Sequence, residues 1–273
     1  MLKTRVISAA ILLPVVLLLF AIGGWPYRVL IIVATLLGGV EYAQMLARSG
    51  YRLQFPILVL LMVAFGLDIV WESESLHLPW GTLSLLGASL WVLFWARRRD
   101  NQRGATEMWA LLLAGGMYLG IGGGHLIALR SAPSGLWWLL TACGAVWIGD
   151  SAAYIAGTRW GRHKMAPTIS PGKSWEGYAA QVLGGVVGGL FLAWLGSMLS
   201  GGTSAVALGH GLLVGGVVSL LCPAGDFLIS MMKREAGVKD TGSLIPGHGG
   251  MLDRMDSILW AGILGHMLAQ WLA

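Results

Sequence analysis

The chain has 273 residues, 56% of them hydrophobic and only 11% charged, against the roughly 25% charged residues usual in soluble domains. That composition excludes an ordinary soluble enzyme and predicts an integral membrane protein. The net charge of +5 implies no nucleic-acid partner, because the basic residues sort to one side of the predicted spans.

About 20 apolar residues in a helix cross a bilayer. Runs of that kind stand at 6–24, 27–47, 53–71, 78–96, 107–124, 136–157, 177–199, 205–232 and 256–273. They predict an all-α, polytopic protein of about nine transmembrane helices, forming a single domain over 1–273. The first run follows Lys3 and Arg5, as in a signal peptide, but its apolar core is long and further spans follow it, so it reads as a retained helix. With the N-terminus cytoplasmic, all of the 18 lysines and arginines except Arg28 and Arg130 lie on the inner side, as the positive-inside rule requires. The C-terminus is then external.

In chain order, Trp25, Trp80, Trp137 and Trp138 stand near span ends and suggest an interfacial belt. Glu41, about two turns from the inner end of the second span, either reaches a cavity or snorkels to the interface. The tract "RRRD" at 97–100 anchors at the lipid headgroups, where anionic lipids would attract it. Cys143 and Cys222 lie inside spans and behave as small apolar residues. Asp150 lies well inside the sixth span, where a carboxylate costs about 2.5–3.5 kcal/mol on insertion scales; it faces a wet cavity or a basic partner.

Two inner loops break the apolar pattern: "TRWGRHKMAPTISPGKSWE" at 158–176 and "KREAGVKDTGSLIPGHGGMLDRM" at 233–255. Long loops in a compact protein are more often functional than accidental. Between them, Gly184 with Gly188 and Gly185 with Gly189 are four apart, a spacing that lets helices approach closely. His210 and His266 are lone histidines in spans and read as interhelical contacts.

The eighth span carries Pro223, which invites a kink, and then Asp226, Ser230 and Lys233 on one helical face. Asp253 and Asp256 share a face at the start of the ninth. If those helix ends meet, Asp226, Asp253 and Asp256 come together, and a divalent cation would relieve their repulsion. Oxygen ligands without cysteine or clustered histidine favour Mg2+ over Zn2+. Lys233, Arg234, Lys239 and Arg254 supply donors for phosphate oxygens, and the glycines around His248, including Gly249 and Gly250, let backbone N–H groups approach an anion. Carboxylates, cations and glycine together are the parts of phosphoryl or nucleotidyl transfer. His248 serves either ligand contact or loop architecture, and Lys173 with Ser170 either binds a nucleotide phosphate or shapes the loop.

The segment "SMMKREAGVKDTGSLIPGHGGMLDRMDS", 230–257, resembles the signature of the CDP-diacylglycerol synthase (phosphatidate cytidylyltransferase) family. Ser230, Lys233, Arg234, Lys239, Asp240, His248, Gly249, Gly250, Asp253, Arg254 and Asp256 occupy its patterned positions. A second block, "GDSAAYIAGTRWGRHKMAPTISPGKSWEG" at 149–177, is similar to that family at Asp150, Tyr154, Lys164, Ser170, Pro171, Lys173, Ser174, Glu176 and Gly177. Both blocks lie within 140–273; the N-terminal half carries no comparable motif.

The resemblance implies transfer of CMP from CTP to phosphatidate, giving CDP-diacylglycerol and pyrophosphate. It further implies dependence on Mg2+ with a monovalent cation such as K+ assisting, membrane lipids as surroundings, a possible homodimer, and a bacterial plasma (inner) membrane with the site on the cytoplasmic face. Catalytic roles would fall to Lys233, Arg234, Lys239, Asp240, His248 and Arg254. Metal binding would fall to Asp226, Asp253 and Asp256, and substrate binding to Asp150, Tyr154, Lys164, Ser170, Lys173, Ser174 and Glu176 of the second block with Ser230, Gly249 and Gly250. The competing readings are a CTP-dependent lipid kinase or other lipid-phosphate transferase and, in another class, a secondary transporter. A transporter would concentrate ionisable groups near the midplane, whereas here they cluster at one face.

Overall fold

The computed structural model describes residues 2–70, 79–98, 104–202, 204, 206–244, 247 and 249–272. Among them are ten helices: α1 (Leu2–Ile22), α2 (Gly24–Arg48), α3 (Phe55–Val70), α4 (Trp80–Arg98), α5 (Ala105–Ser131), α6 (Gly135–Trp160), α7 (Trp175–Leu199), α8 (Leu208–Leu221), α9 (Pro223–Glu235) and α10 (Leu252–Leu272). Each expected span has its helix, and the eighth is split into α8 and α9. Pro223 is the first residue of α9, where its missing N–H costs nothing to the new helix but interrupts the old one. Five of these runs are long and apolar enough to cross a membrane on length and composition, with α8 and α9 counted as one, and α3 is a shorter apolar helix. The protein is an all-α polytopic membrane protein.

Helix contact in hydrocarbon gains nothing from hydrophobicity, so it depends on close backbone approach. The glycines supply it. Gly184 and Gly188 turn to α6, against Ala152 and Ile148, while Gly185 and Gly189 turn to α8, against Ser219, Gly211 and Gly215. One α7 helix therefore packs on two neighbours through two glycine stripes one residue apart. Across the bundle, Gly120 and Gly124 of α5 lie on the α3 backbone at Met62 and Gly66.

The apolar interior holds some polar groups in pairs. His266 stands 2.9 Å from His125, Nδ1 to Nδ1. His210 stacks on Trp138 with ring centroids 5.5 Å apart. Trp138 is only 1% exposed, so it belongs to the core and not to the interfacial belt, whereas Trp25 is exposed as expected. Cys143 and Cys222 are buried free thiols.

The loop after α6 forms a two-stranded antiparallel hairpin, β1 (Lys164–Ala166) and β2 (Ser170–Ser174), pairing Lys164 with Ser174 and Ala166 with Ser170. An isolated hairpin is marginal in water. This one is pinned at both ends. At its tip Arg234 Nε donates to Ile169 O over 3.0 Å, and at its base Glu176 accepts from His163 N and pairs with His163 Nδ1 at 2.6 Å.

Candidate active site

At the end of the bundle where α6, α9 and α10 meet the two long loops, the helices enclose a cavity of about 790 Å³. That volume suits a ligand larger than a metal ion. The β-hairpin and the first turn of α7 form one wall, α9 and the start of α10 the other.

Five aspartates line this cavity: Asp150, Asp226, Asp240, Asp253 and Asp256. Three cations, Lys173, Lys233 and Arg254, share it, with Lys164 on the hairpin. The break at Pro223 makes this possible, because it re-aims α9 so that Asp226 meets the hairpin. Lys173 Nζ lies 2.7 Å from Asp226 Oδ2 and 4.1 Å from the Phe227 ring centroid. Ser230 donates to Asp226 Oδ1 over 3.0 Å, which bears out the shared helical face. Asp226 lies within electrostatic reach of both Asp150 and Asp256.

Asp253 is the most constrained member. Its Oδ1 meets Lys233 Nζ at 2.6 Å. Its Oδ2 accepts from Thr241 N at 2.8 Å, Thr241 Oγ1 at 2.9 Å and Gly250 N at 3.0 Å. The pair is deeply set, with side chains 5% (Asp253) and 10% (Lys233) exposed. Gly250 thus gives its N–H to a carboxylate of the protein itself. Gly249 adopts φ +81, a left-handed conformation that favours glycine, and a Cβ there would press on Asp253.

Not every motif residue faces the cavity. Tyr154 and Ser174 line it, and Ser174 also caps α7 by accepting from Gly177 N at 3.2 Å. Ser170 and Glu176 serve the hairpin. Arg234 holds the hairpin tip, and Lys239 lies exposed in the loop. His248 falls outside the described residues.

Sequence reasoning passed over Gln181 and Thr241, and for Glu41 it offered a cavity or the interface. Gln181 of α7 donates to Asp150 Oδ1 at 2.6 Å, anchoring the intramembrane carboxylate. Thr241 bridges to Asp253, as above. Glu41, far away in sequence, is buried at the start of α10, where it accepts from Met251 N at 2.9 Å, Leu252 N at 2.8 Å and Thr241 Oγ1 at 2.9 Å. It neither snorkels nor lines the cavity.

The cavity lining among the described residues offers aspartate oxygens without cysteine or histidine, which suits a hard cation. Among the described residues no three His, Cys, Asp or Glu side chains form a ready-made metal cage.

The model of the cytidylyltransferase family matches residues 3–272. The chain belongs to that family. It is 33% identical over 275 residues to a phosphatidate cytidylyltransferase of Pseudomonas aeruginosa, covering 94% of this chain and 93% of that protein. A phosphatidate cytidylyltransferase of Staphylococcus aureus is 32% identical over 268 residues, covering 94% and 95%. A third, from Haemophilus influenzae, is 43% identical over 129 residues, which span 45% of this chain and 42% of that protein. The full-length matches extend the likeness beyond the two motif blocks to the N-terminal helices of this cytidylyltransferase, where Glu41 lies.

Proposed function

We propose that the protein is a CTP:phosphatidate cytidylyltransferase working at the cytoplasmic face of a bacterial inner membrane, and that the whole chain acts as one catalytic unit. The observation that supports this most is the cavity itself, where carboxylates and cations alternate at the end of a membrane bundle. A soluble nucleotide can enter such a site from water and a lipid phosphate from the headgroup layer.

Both substrates are polyanions, so the cavity must first neutralise charge. Arg254, Lys173 and Lys164 face the phosphates as donors, while Lys233 keeps its charge at the wall through Asp253. A phosphate monoester has its second pKa near about 6, so the phosphatidate oxygen is already a nucleophile at neutral pH and no general base is needed. That oxygen attacks the α-phosphorus of CTP; the new P–O bond forms as the bond from that phosphorus to the oxygen bridging to the β-phosphate breaks. Pyrophosphate leaves with the electron pair. Positioning and fixed charge carry the rate.

Asp226, Asp253 and Asp256 would hold Mg2+, with Asp150 and its Gln181 partner nearby. The ion supplies charge neutralisation on the CTP phosphates when bound. K+ would be the monovalent partner. A homodimer belongs to this reading only as an expectation from the family.

The test uses CTP labelled on either its α- or its γ-phosphate, with purified protein, Mg2+ and phosphatidate in mixed micelles. Cytidylyl transfer puts the α-label into lipid and leaves the γ-label in pyrophosphate. Lipid labelled from the γ-position would instead mean a CTP-dependent kinase. No lipid labelling from folded protein would turn attention to flux assays in sealed vesicles.

A further inference from the structure

The two motif blocks lie at 149–177 and 230–257, outside the N-terminal half, yet a carboxylate from that half is built into the second of them. Glu41 of α2 is 6% exposed. Among the described residues its hydrogen-bond donors are two backbone N–H groups and a hydroxyl; none is a lysine or arginine. Burying a carboxylate without a cation is costly. The open N–H groups and positive end of α10 offset that cost. A local serine or aspartate could cap the helix equally well, but here the cap comes from 211 positions upstream.

What the distant carboxylate adds is a connection. The Thr241 hydroxyl lies 2.9 Å from Glu41 Oε2 and 2.9 Å from Asp253 Oδ2. Its one proton is shared between the two acceptors, so both carboxylates are held against the same hydroxyl. The Thr241 and Gly250 N–H groups close the same Oδ2, which leaves Oδ1 for Lys233 and the cavity. Gly242 and Gly250 both pack on the Glu41 carboxylate, and a Cβ at either would collide with it. Two glycines of the signature loop are thereby explained by Glu41 rather than by substrate.

We infer that Glu41 is a positioning residue for the transfer reaction: through Thr241 and the start of α10 it fixes which way Asp253 and Lys233 face the cavity. This rests on the cytidylyltransferase reading above. Glu41 touches no substrate, so its loss should act on turnover more than on binding.

The test compares E41Q, T241V, T241S and E41Q/T241V as purified full-length proteins, by kcat and KM in the micelle assay and by hydrogen–deuterium exchange over residues 236–252. Altered support for a ligating carboxylate typically costs about 10–100-fold. The expected result is a kcat loss of that size in E41Q and T241V with KM for CTP and phosphatidate within about threefold. T241S, which keeps the hydroxyl, restores kcat, and the double variant is no worse than the poorer single one. Exchange accelerates in 236–252 alone. Wild-type kcat in folded E41Q or T241V, or additive losses in the double variant, would overturn the inference. If E41Q does not fold, the T241V and T241S pair decides. An inactive wild type would defeat the functional reading and not the tie, which the exchange measurement still tests.

Discussion

Lys233 and Asp253 show how one contact can serve both stability and chemistry. Breaking a buried ion pair by removing one partner costs about 3–5 kcal/mol, because the other charge is left behind. Asp253→Asn should therefore lower the thermal midpoint as well as the activity, whereas Lys173→Met, at a more exposed pair with Asp226, should spare the midpoint. For Lys173→Met the expected loss is about tenfold in kcat/KM for CTP, one charge-assisted phosphate contact of roughly 1.5 kcal/mol. Thermal unfolding in detergent beside steady-state kinetics checks both. At this scale the sequence was informative wherever partners are close along the chain: Asp226 with Ser230 is a helical spacing. For Glu41 it offered a cavity or the interface, and neither is its place, because its three donors lie at 241, 251 and 252; a lone carboxylate in an apolar helix carries no local sign of them. Glu176 pairs with His163, and a motif position facing a histidine looks the same in sequence as one facing substrate.

Among the elements, α7 depends on glycine more than any side-chain contact shows. A methyl group at Gly189 would run into the backbone of Gly211 and Gly215, while Gly209 in α8 has open space around it. Gly189→Ala should separate α7 from α8 and lower the thermal midpoint, and Gly209→Ala should leave it unchanged or slightly raised, since alanine is the better helix former. Equal effects from the two would remove the packing account. Spacing announced these stripes, but not that one helix presents two of them, because which neighbour each glycine meets is fixed only by the assembled bundle. The same limit hid the hairpin at 164–174, whose strands hold through Arg234 and Glu176 rather than through a β-like sequence pattern. Pro223, in contrast, marked the α8–α9 break directly.

Across the whole molecule, hydropathy was enough for the apolar spans, the eighth of which is divided into α8 and α9, because they follow from the bilayer as solvent, and the charge asymmetry sets the expected orientation. The two glycine stripes of α7 pack against α6 and α8 within the chain. Orientation has its own check: Arg162→Cys, in the exposed stretch before β1, should react with a membrane-impermeant thiol reagent in inside-out vesicles and stay protected in right-side-out ones, with the opposite pattern reversing the topology. The cavity draws its walls from residues 150–257, and its acidic lining could be foreseen while its internal ties, among them the one to Glu41, could not. The central claim, that these aspartates serve phosphate chemistry, is tested most directly by Asp226→Asn. The amide keeps the acceptor for Ser230, and the carboxylate is partly exposed with Lys173 as its ion-pair partner, so the fold should survive the loss of charge. Pyrophosphate release with CTP, phosphatidate and Mg2+ should fall about 100-fold or more in the folded variant; release at the wild-type rate would contradict the account.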